Sequence, residues 1–222
     1  MRFILKIAIL GGTGKEGAGL GYRWAVAGHQ VVIGSRVAER AVDKAAELTA
    51  LLPGYGEPVQ GADNLAAAQM ADVVVLAVPY EAQQPTLEVV KPALAGKLLI
   101  SVVVPLKPPK VANVWLPAAG SAAAEVQAFL GEETRVVAAF QNVSAEHLLD
   151  IDHSVDCDVL ICGDKAADRD VAAQLAKDAG MRGVHAGLLV NAGIVEGLTA
   201  VLISINIRHK IKNAGIRITG IE

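Results

Sequence analysis

Apolar positions along this chain switch between a strand-like and a helix-like spacing, and the switches predict most of its elements. The run Phe3 to Leu10 reads as a strand, and a helical pattern follows over about Glu16 to Ala27, stopped by Gly28-His29. Gln30-Val-Val-Ile-Gly34 reads as a second strand, and Val37 to Leu52 as a helix ended by Pro53-Gly54. Pro58 to Gly61 predicts a short strand and Asp63 to Met70 a short helix. Asp72 to Val78 is nearly unbroken in apolar residues, as in a central parallel strand covered on both faces. Pro79 ends it, Tyr80 to Leu94 reads as helical despite Pro85, and Leu98 to Val104 is another buried strand before the Pro-rich loop Pro105 to Pro109. Ala118 to Leu130 predicts a helix and Arg135 to Phe140 a strand. This alternation predicts an α/β fold with a Rossmann-type, doubly wound parallel sheet.

Near Ser144 the pattern changes. Val155 to Cys162 reads as a strand, Lys165 to Ala179 as a helix and Gly183 to Ala186 as a strand. Asn191 to Asn213 reads as a long last helix with Ile194, Leu198, Val201, Leu202 and Ile205 on one stripe. We therefore expect a dinucleotide-binding Rossmann domain over residues 1–145 and a small C-terminal α/β domain over 146–222 that closes the cleft. No Ser/Gly linker separates them, so the two are expected to pack tightly, and no internal repeat of fixed period is visible.

Composition narrows the function classes. With 222 residues, 53% hydrophobic and 19% charged, the chain has ample core. A net charge of −3 gives no footprint for nucleic acid. Cys157 and Cys162 are too few for a disulfide framework and lack neighbouring metal ligands, so buried structural thiols are expected and no metal site. There is no signal-peptide pattern, and the apolar stretch from about Ala192 to Ile207 contains Glu196 and reads as too short to span a bilayer. The expectation is a soluble cytoplasmic protein without membrane or nucleic-acid partners. The apolar last helix suggests a homodimer.

The candidate chemistry lies in Gly12-x-Gly14-x-x-Gly17, placed between the first strand and the first helix. Gly12 would permit the tight turn, Gly14 the approach of a pyrophosphate, and Gly17 close helix–sheet packing, with the anion on the N–H groups of the helix start. NAD sites carry an acid at the end of the second strand, but here that place reads Gly34-Ser35-Arg36. Arg36, Arg40 one turn later, Ser35 and Thr13 form a candidate cradle for a 2′-phosphate, which favours NADP(H). Glu39, between the two arginines, weighs against it.

Gly11-Gly-Thr-Gly-x-x-Gly17, Val32-x-Gly-Ser-Arg36, Ala77-Val-Pro-Tyr-Glu81, Val102-Val-Val-Pro-Leu106 and Cys162-Gly163-Asp164 occur together and in this order. The set resembles the NADPH-dependent reductases of coenzyme F-420 (F420), a 5-deazaflavin, over essentially the whole chain. The resemblance implies a deazaflavin lying against the nicotinamide in a cleft between the two domains. It implies cofactor contacts from Gly12, Thr13, Gly14, Lys15, Glu16 and Gly17, and 2′-phosphate contacts from Thr13, Ser35, Arg36 and Arg40. Arg40 stands where archaeal members carry Lys. Val78, Pro79, Val104, Pro105 and Leu106 match the region near the nicotinamide. Gln141, Asn142, Val143 and Ala145, with the Leu189-Val190-Asn191 turn, align with the deazaflavin-contacting segments. A His-Thr-Ile-Pro-like stretch of archaeal members is replaced here by Gln141-Asn-Val-Ser144.

Hydride transfer between two such carriers needs positioning more than a side-chain acid or base, and no catalytic residue is expected. His29, His147, His153, His185 and His209 read as structural or surface residues, and no Tyr-x-x-x-Lys pair occurs. Asp63 and Asp72 read as turn residues, and Trp24 and Trp115 as packing. Lys107 and Lys110 either attract an anionic tail or are solvated loop charges. Glu196 is either a buried polar group at the cleft or an interface, or lies on a partly exposed face. Two other functions stay open: an NADPH-dependent imine or carbonyl reductase of the same fold, and a non-catalytic NADP(H)-binding sensor.

Overall fold

The computed structural model describes residues 4–54 and 56–221; Phe3, where the first predicted strand begins, lies outside them. Eight strands form one sheet: β1 (Lys6–Leu10), β2 (Gln30–Ser35), β3 (Gln60–Asp63), β4 (Val73–Leu76), β5 (Leu98–Ser101), β6 (Arg135–Ala138), β7 (Asp158–Gly163) and β8 (Arg182–His185). Their order is β3-β2-β1-β4-β5-β6-β7-β8. The helices are α1 (Lys15–Val26), α2 (Ala38–Leu51), α3 (Asn64–Met70), α4 (Tyr80–Val90), α5 (Ala122–Leu130), α6 (Ala166–Asp178) and α7 (Ala192–His209).

Strand residues explain why the sheet is buried on both faces. Ile7 and Ile9 enter one core cluster and Ala8 and Leu10 the other; Val73 and Val75 divide from Val74 and Leu76 in the same way. That is the two-residue period of a strand with apolar layers above and below it. The first layer centres on Trp24, whose ring meets Phe140 edge-on at 5.8 Å and whose indole N–H donates to the Leu175 carbonyl at 2.8 Å.

The expected parallel sheet is present over β1 to β6, and the C-terminal strands join it with one reversal: β7 is antiparallel to β6, pairing Val137 with Gly163 and Ala138 with Cys162. The connection explains it. Residues 139–157 hold only a 3-10 turn at Ala145–His147, and a parallel return needs a crossover element. The sheet thus runs without a break past residue 145.

Two helix boundaries also move. The helix predicted from Ala118 starts at Ala122, because Gly120 takes a φ of 90° and the Ser121 hydroxyl accepts from the Ala124 N–H at 2.9 Å as its cap. The last helix ends at His209 rather than Asn213. Lys210 turns left-handed with a φ of 55°, and the chain returns to β7, where the Asp158 N–H donates to the Ile216 carbonyl at 2.7 Å. Leu189–His209 is 21 residues and by length and composition alone could cross a membrane, which corrects the length argument above. Here α7 packs on α5 and β7. The predicted stripe divides: Ile194, 71% exposed, Val201 and Ile205 face outward, while Leu198 is half-buried and Leu202 turns in beside Val195 and Glu196.

Candidate functional site

The carboxyl ends of β1, β2 and β4 meet at the Gly-rich turn. The left-handed residue of that turn is Gly11, with a φ of 71°, not Gly12. Gly12 is required by crowding instead: a Cβ there would lie 2.7 Å from the Ile9 carbonyl oxygen. A Cβ on Gly17 would lie 2.9 Å from the Gly12 Cα, so helix and turn touch backbone to backbone. Gly14 differs from both. Its Cβ would meet nothing closer than 3.7 Å, so it opens outward, and as the N-cap of α1 it offers no side-chain acceptor to the first-turn N–H groups. These are the properties of an anion-binding helix start.

Around this turn lies a cleft of about 460 Å³ lined by Thr13, Gly14, Ser35, Arg36, Arg40 and Val78, among others. A second cavity of about 710 Å³ joins it through Ser35, Arg36, Asn64, Pro79, Ala82 and Thr86 and extends to Leu65, Pro85 and Val89. Arg36 and Arg40 make the first cationic, and the second adds an apolar floor with Asp63 and Glu81 also in its lining. The four cradle residues thus share one cavity, while Glu39 is exposed and lines neither. Ser35 is buried and its hydroxyl accepts from the Val37 N–H at 3.3 Å, which fixes the strand-to-helix turn.

Asn64 escaped the sequence reading. It is buried at the start of α3, and its Oδ1 accepts from the Gly11 N–H at 3.3 Å, tying the turn to a helix 53 residues away. Gly34 makes room for it, since a Cβ there would lie 2.8 Å from that oxygen. Only the adjacent Asp63, which caps α3 by accepting from Ala66 N–H at 2.9 Å, marked the place.

The other predicted residues lie further along the carboxyl edge. Val78 and Pro79 line the cleft; Val104, Pro105, Leu106, Gln141, Asn142, Val143, Ala145 and Asn191 line neither cavity. Phe140 leaves β6 with a φ of 74°, a strained conformation for an aromatic residue, and sets the direction of Gln141. Gln141, 3% exposed, donates from Nε2 to the Ser101 carbonyl at 2.8 Å; its own carbonyl accepts from Thr199 Oγ1 at 2.7 Å; its Oε1 is buried without a partner. Asn142 is spent inside the protein, donating to the Asp158 carbonyl at 2.6 Å and accepting from Leu160 N–H at 3.4 Å. It serves the β6–β7 joint, and a ligand contact from its side chain would displace these bonds. Val143 is buried, Ala145 opens the 3-10 turn, and Asn191 is exposed with its Nδ2 on the Ala186 carbonyl at 2.9 Å.

Glu196 on α7 is fully buried and accepts from the Ala122 and Ala123 N–H groups at 2.7 and 3.0 Å. It holds the start of α5, and burial pushes its carboxyl up to about 7 against those hydrogen bonds. Lys107 caps the Trp115 ring at 3.6 Å, and Trp115 meets Tyr80 edge-on at 5.6 Å. In the turn itself Lys15 is exposed, while the Glu16 Oε1 is buried without a partner and burial raises the carboxyl to about 8.

The histidines stand apart from the cleft. His29 accepts at Nδ1 from the Leu5 N–H and faces Asp178 at 3.0 Å; His147 and His153 stack at 4.0 Å; His185 lies 3.4 Å from Asp170. Among the described residues no group of three or more His, Cys, Asp or Glu is placed to hold a metal ion.

Comparison with known proteins agrees with this geometry. Residues 6–105 match the family described as NADP oxidoreductase, coenzyme F420-dependent. The chain is 45% identical over 225 residues to the F420-dependent NADP reductase of Methanothermobacter marburgensis, covering 98% of this chain and 99% of the relative. It is 41% identical over 224 residues to that of Methanocaldococcus jannaschii, covering 98% and 100%. A crystal structure from Arthrobacter sp. with the provisional name F420-dependent NADP reductase superposes with a TM-score of 0.79 at 26% identity, covering 97% of this chain and 99% of that one. Plasmodium falciparum pyrroline carboxylate reductase shares the fold alone, with a TM-score of 0.59 at 15% identity over 92% of this chain and 67% of that one.

Proposed function

The chain belongs to the coenzyme F420-dependent NADP oxidoreductase family, and from that premise we propose that it is an NADP-dependent oxidoreductase passing a hydride between NADP(H) and the 5-deazaflavin coenzyme F420. The observation that carries the cofactor half of this reading is the cleft at the Gly-rich turn. There Thr13, Ser35, Arg36 and Arg40 converge with no acid at the end of β2. The residues fit the dinucleotide: open space over Gly14 and the start of α1 receive a pyrophosphate, and the two guanidinium groups receive a 2′-phosphate. The apolar floor around Leu65, Pro85 and Val89 suits the adenine ring.

The carriers supply the hydride chemistry when bound. The protein binds, orients and excludes water. Val78 and Pro79 close the nicotinamide end of the cleft, with Val104, Pro105 and Leu106 on the next strand end. α7 holds Gln141, on the deazaflavin side of this reading, in place through Thr199. In this reading residues 146–222 are the closing half, and no side chain is assigned as acid or base.

The imine-reducing relatives share the fold, but this chain spans only about two thirds of their length, and no observation favours their chemistry. A homodimer is part of the proposal. Ile194, Val201 and Ile205, all exposed and on one side of α7, with the exposed Val190 in the turn before it, make an apolar outer face of the kind a second copy covers. A cytoplasmic setting is supported by two free, buried thiols.

Equilibrium titration of the wild type and Arg36→Ala with NADPH and NADH tests the cofactor assignment. A lost charge-assisted contact is worth about 1.5–3 kcal/mol, so Arg36→Ala is expected to weaken NADPH roughly tenfold to a hundredfold and NADH little. Equal binding of NADPH and NADH by the wild type would overturn it.

A further inference from the structure

A neutral side chain enters the cleft from the strand beyond β2. Asn64 follows Asp63, whose Cα pairs with that of Ser35 in the β2–β3 ladder. From there the side chain crosses over β2, and its Oδ1 meets the Gly11 N–H at the end of β1 at 3.3 Å. The crossing is possible because residue 34 is glycine, where a Cβ would lie 2.8 Å from that oxygen. The amide thus lies across the carboxyl ends of β3, β2 and β1, which are neighbours in the sheet. That is beside the place where an NAD site presents its acid to the ribose.

Asn64 is 6% exposed, yet half of its amide is unused. The bond to Gly11 fixes which way the planar group faces, because only the oxygen accepts. Nδ2 then has no hydrogen-bond partner among the described residues, and it is not sealed inside the protein. Asn64 lines both the cationic cleft and the cavity with the apolar floor, and Ser35 and Arg36 share that position with it. We propose that Asn64 is a further ligand of the 2′-phosphate and a determinant of NADP(H) over NAD(H): its Nδ2 donates to that phosphate while its Oδ1 braces the Gly-rich turn. The proposal rests on the NADP(H) reading above and adds to it a neutral donor beside the two guanidinium groups.

Charge explains why an amide suits this position. A carboxylate of the same shape would keep the bond to the Gly11 N–H. It would also pair with Arg36 and Arg40 and repel the phosphate they are there to bind. Toward NAD(H) the same carboxylate would accept from the free 2′-hydroxyl, as the acid of an NAD site does. One atom, nitrogen or oxygen, therefore separates the two dinucleotides. The neighbouring Asp63 does not take this part. It lines only the second cavity, and its Oδ1 caps α3 at the Ala66 N–H.

The test is equilibrium titration of the full chain with NADPH and with NADH, for the wild type, Asn64→Asp and Asn64→Ala. Asn64→Asp keeps the acceptor for Gly11, so the turn stays braced. It is expected to weaken NADPH roughly a hundredfold and NADH by no more than about twofold. Asn64→Ala loses brace and donor together. It is expected to weaken both dinucleotides, NADPH by roughly tenfold more than NADH. A loss that is the same for NADPH and NADH in either variant overturns the proposal and leaves Asn64 as a brace of the turn alone. Equal binding of the two by the wild type overturns the NADP(H) reading itself. A measurement on the wild type does not depend on either variant folding: the side-chain amide NMR signals of Asn64 are followed with adenosine 2′,5′-bisphosphate and with adenosine 5′-phosphate as probes. A shift with the bisphosphate well beyond that with the monophosphate supports the contact, and the same shift, or none, with both overturns it.

Discussion

The two halves of the carboxyl edge are built by different means. The dinucleotide half, around β1, β2 and α1, is made mostly of backbone: a glycine turn, an open helix start and two strand ends, with charge supplied by Arg36 and Arg40. The closing half after β6 is made of side chains reaching across the chain. Arg23 donates to five carbonyls, those of His147, Leu148, Asp150, His153 and Ala179. Glu196 holds α5, and Thr199 holds Gln141. A backbone site tolerates changes around it as long as its glycines remain. A side-chain lattice depends on each of its polar members, because an orphaned buried group costs its full desolvation.

Arg23→Ala is the strongest way to break the comparison. It strips the carbonyls of the 147–153 segment of a shared charged donor, a loss of about 3 kcal/mol or more. For a chain of this size that is a fall in Tm of about 6–12 °C. Calorimetric melting should show that fall while NADPH titration of the folded protein changes little. If NADPH affinity collapses instead, the halves are not independent.

Glu196→Gln sharpens the comparison with a smaller effect. The Glu196 carboxyl is raised from 4.5 to about 7, so the folded chain binds this proton more tightly than the unfolded one. Its contribution to stability is present in full below about pH 4.5 and is lost as pH rises through about 7. Between those values the wild-type Tm should fall with a component that Glu196→Gln lacks; identical slopes in the two proteins would show that this carboxyl does not titrate in the fold.

The same contrast decides what could be read from the sequence. The dinucleotide half was legible because its parts are local: strand, glycines, helix and Ser35-Arg36 fall within the first 36 residues. Even there the left-handed residue was Gly11 rather than Gly12, since two adjacent glycines look alike until the Ile9 carbonyl is in place. The side-chain lattice of the closing half was not legible: Gln141 to Ser101 and Glu196 to Ala122, like Asn64 to Gly11 in the dinucleotide half, pair residues 40 or more positions apart, and no spacing rule finds them. The direction of β7 follows from the lack of a crossover helix before it, and Phe140 enters a left-handed conformation that its residue type disfavours. In α7 the pattern misled for a definite reason. The helix is apolar nearly all round and its one acid, Glu196, is inside, so the usual guide of polar face outward points the wrong way.

The central claim is tested most directly by turnover. Purified protein, NADPH and oxidised F420 are mixed and the deazaflavin absorbance is followed, with NADH as the control. The account predicts rapid loss of absorbance with NADPH and little with NADH. A protein that binds NADPH yet leaves F420 oxidised would contradict it and leave the cleft as a dinucleotide sensor or the site of a reductase for another acceptor.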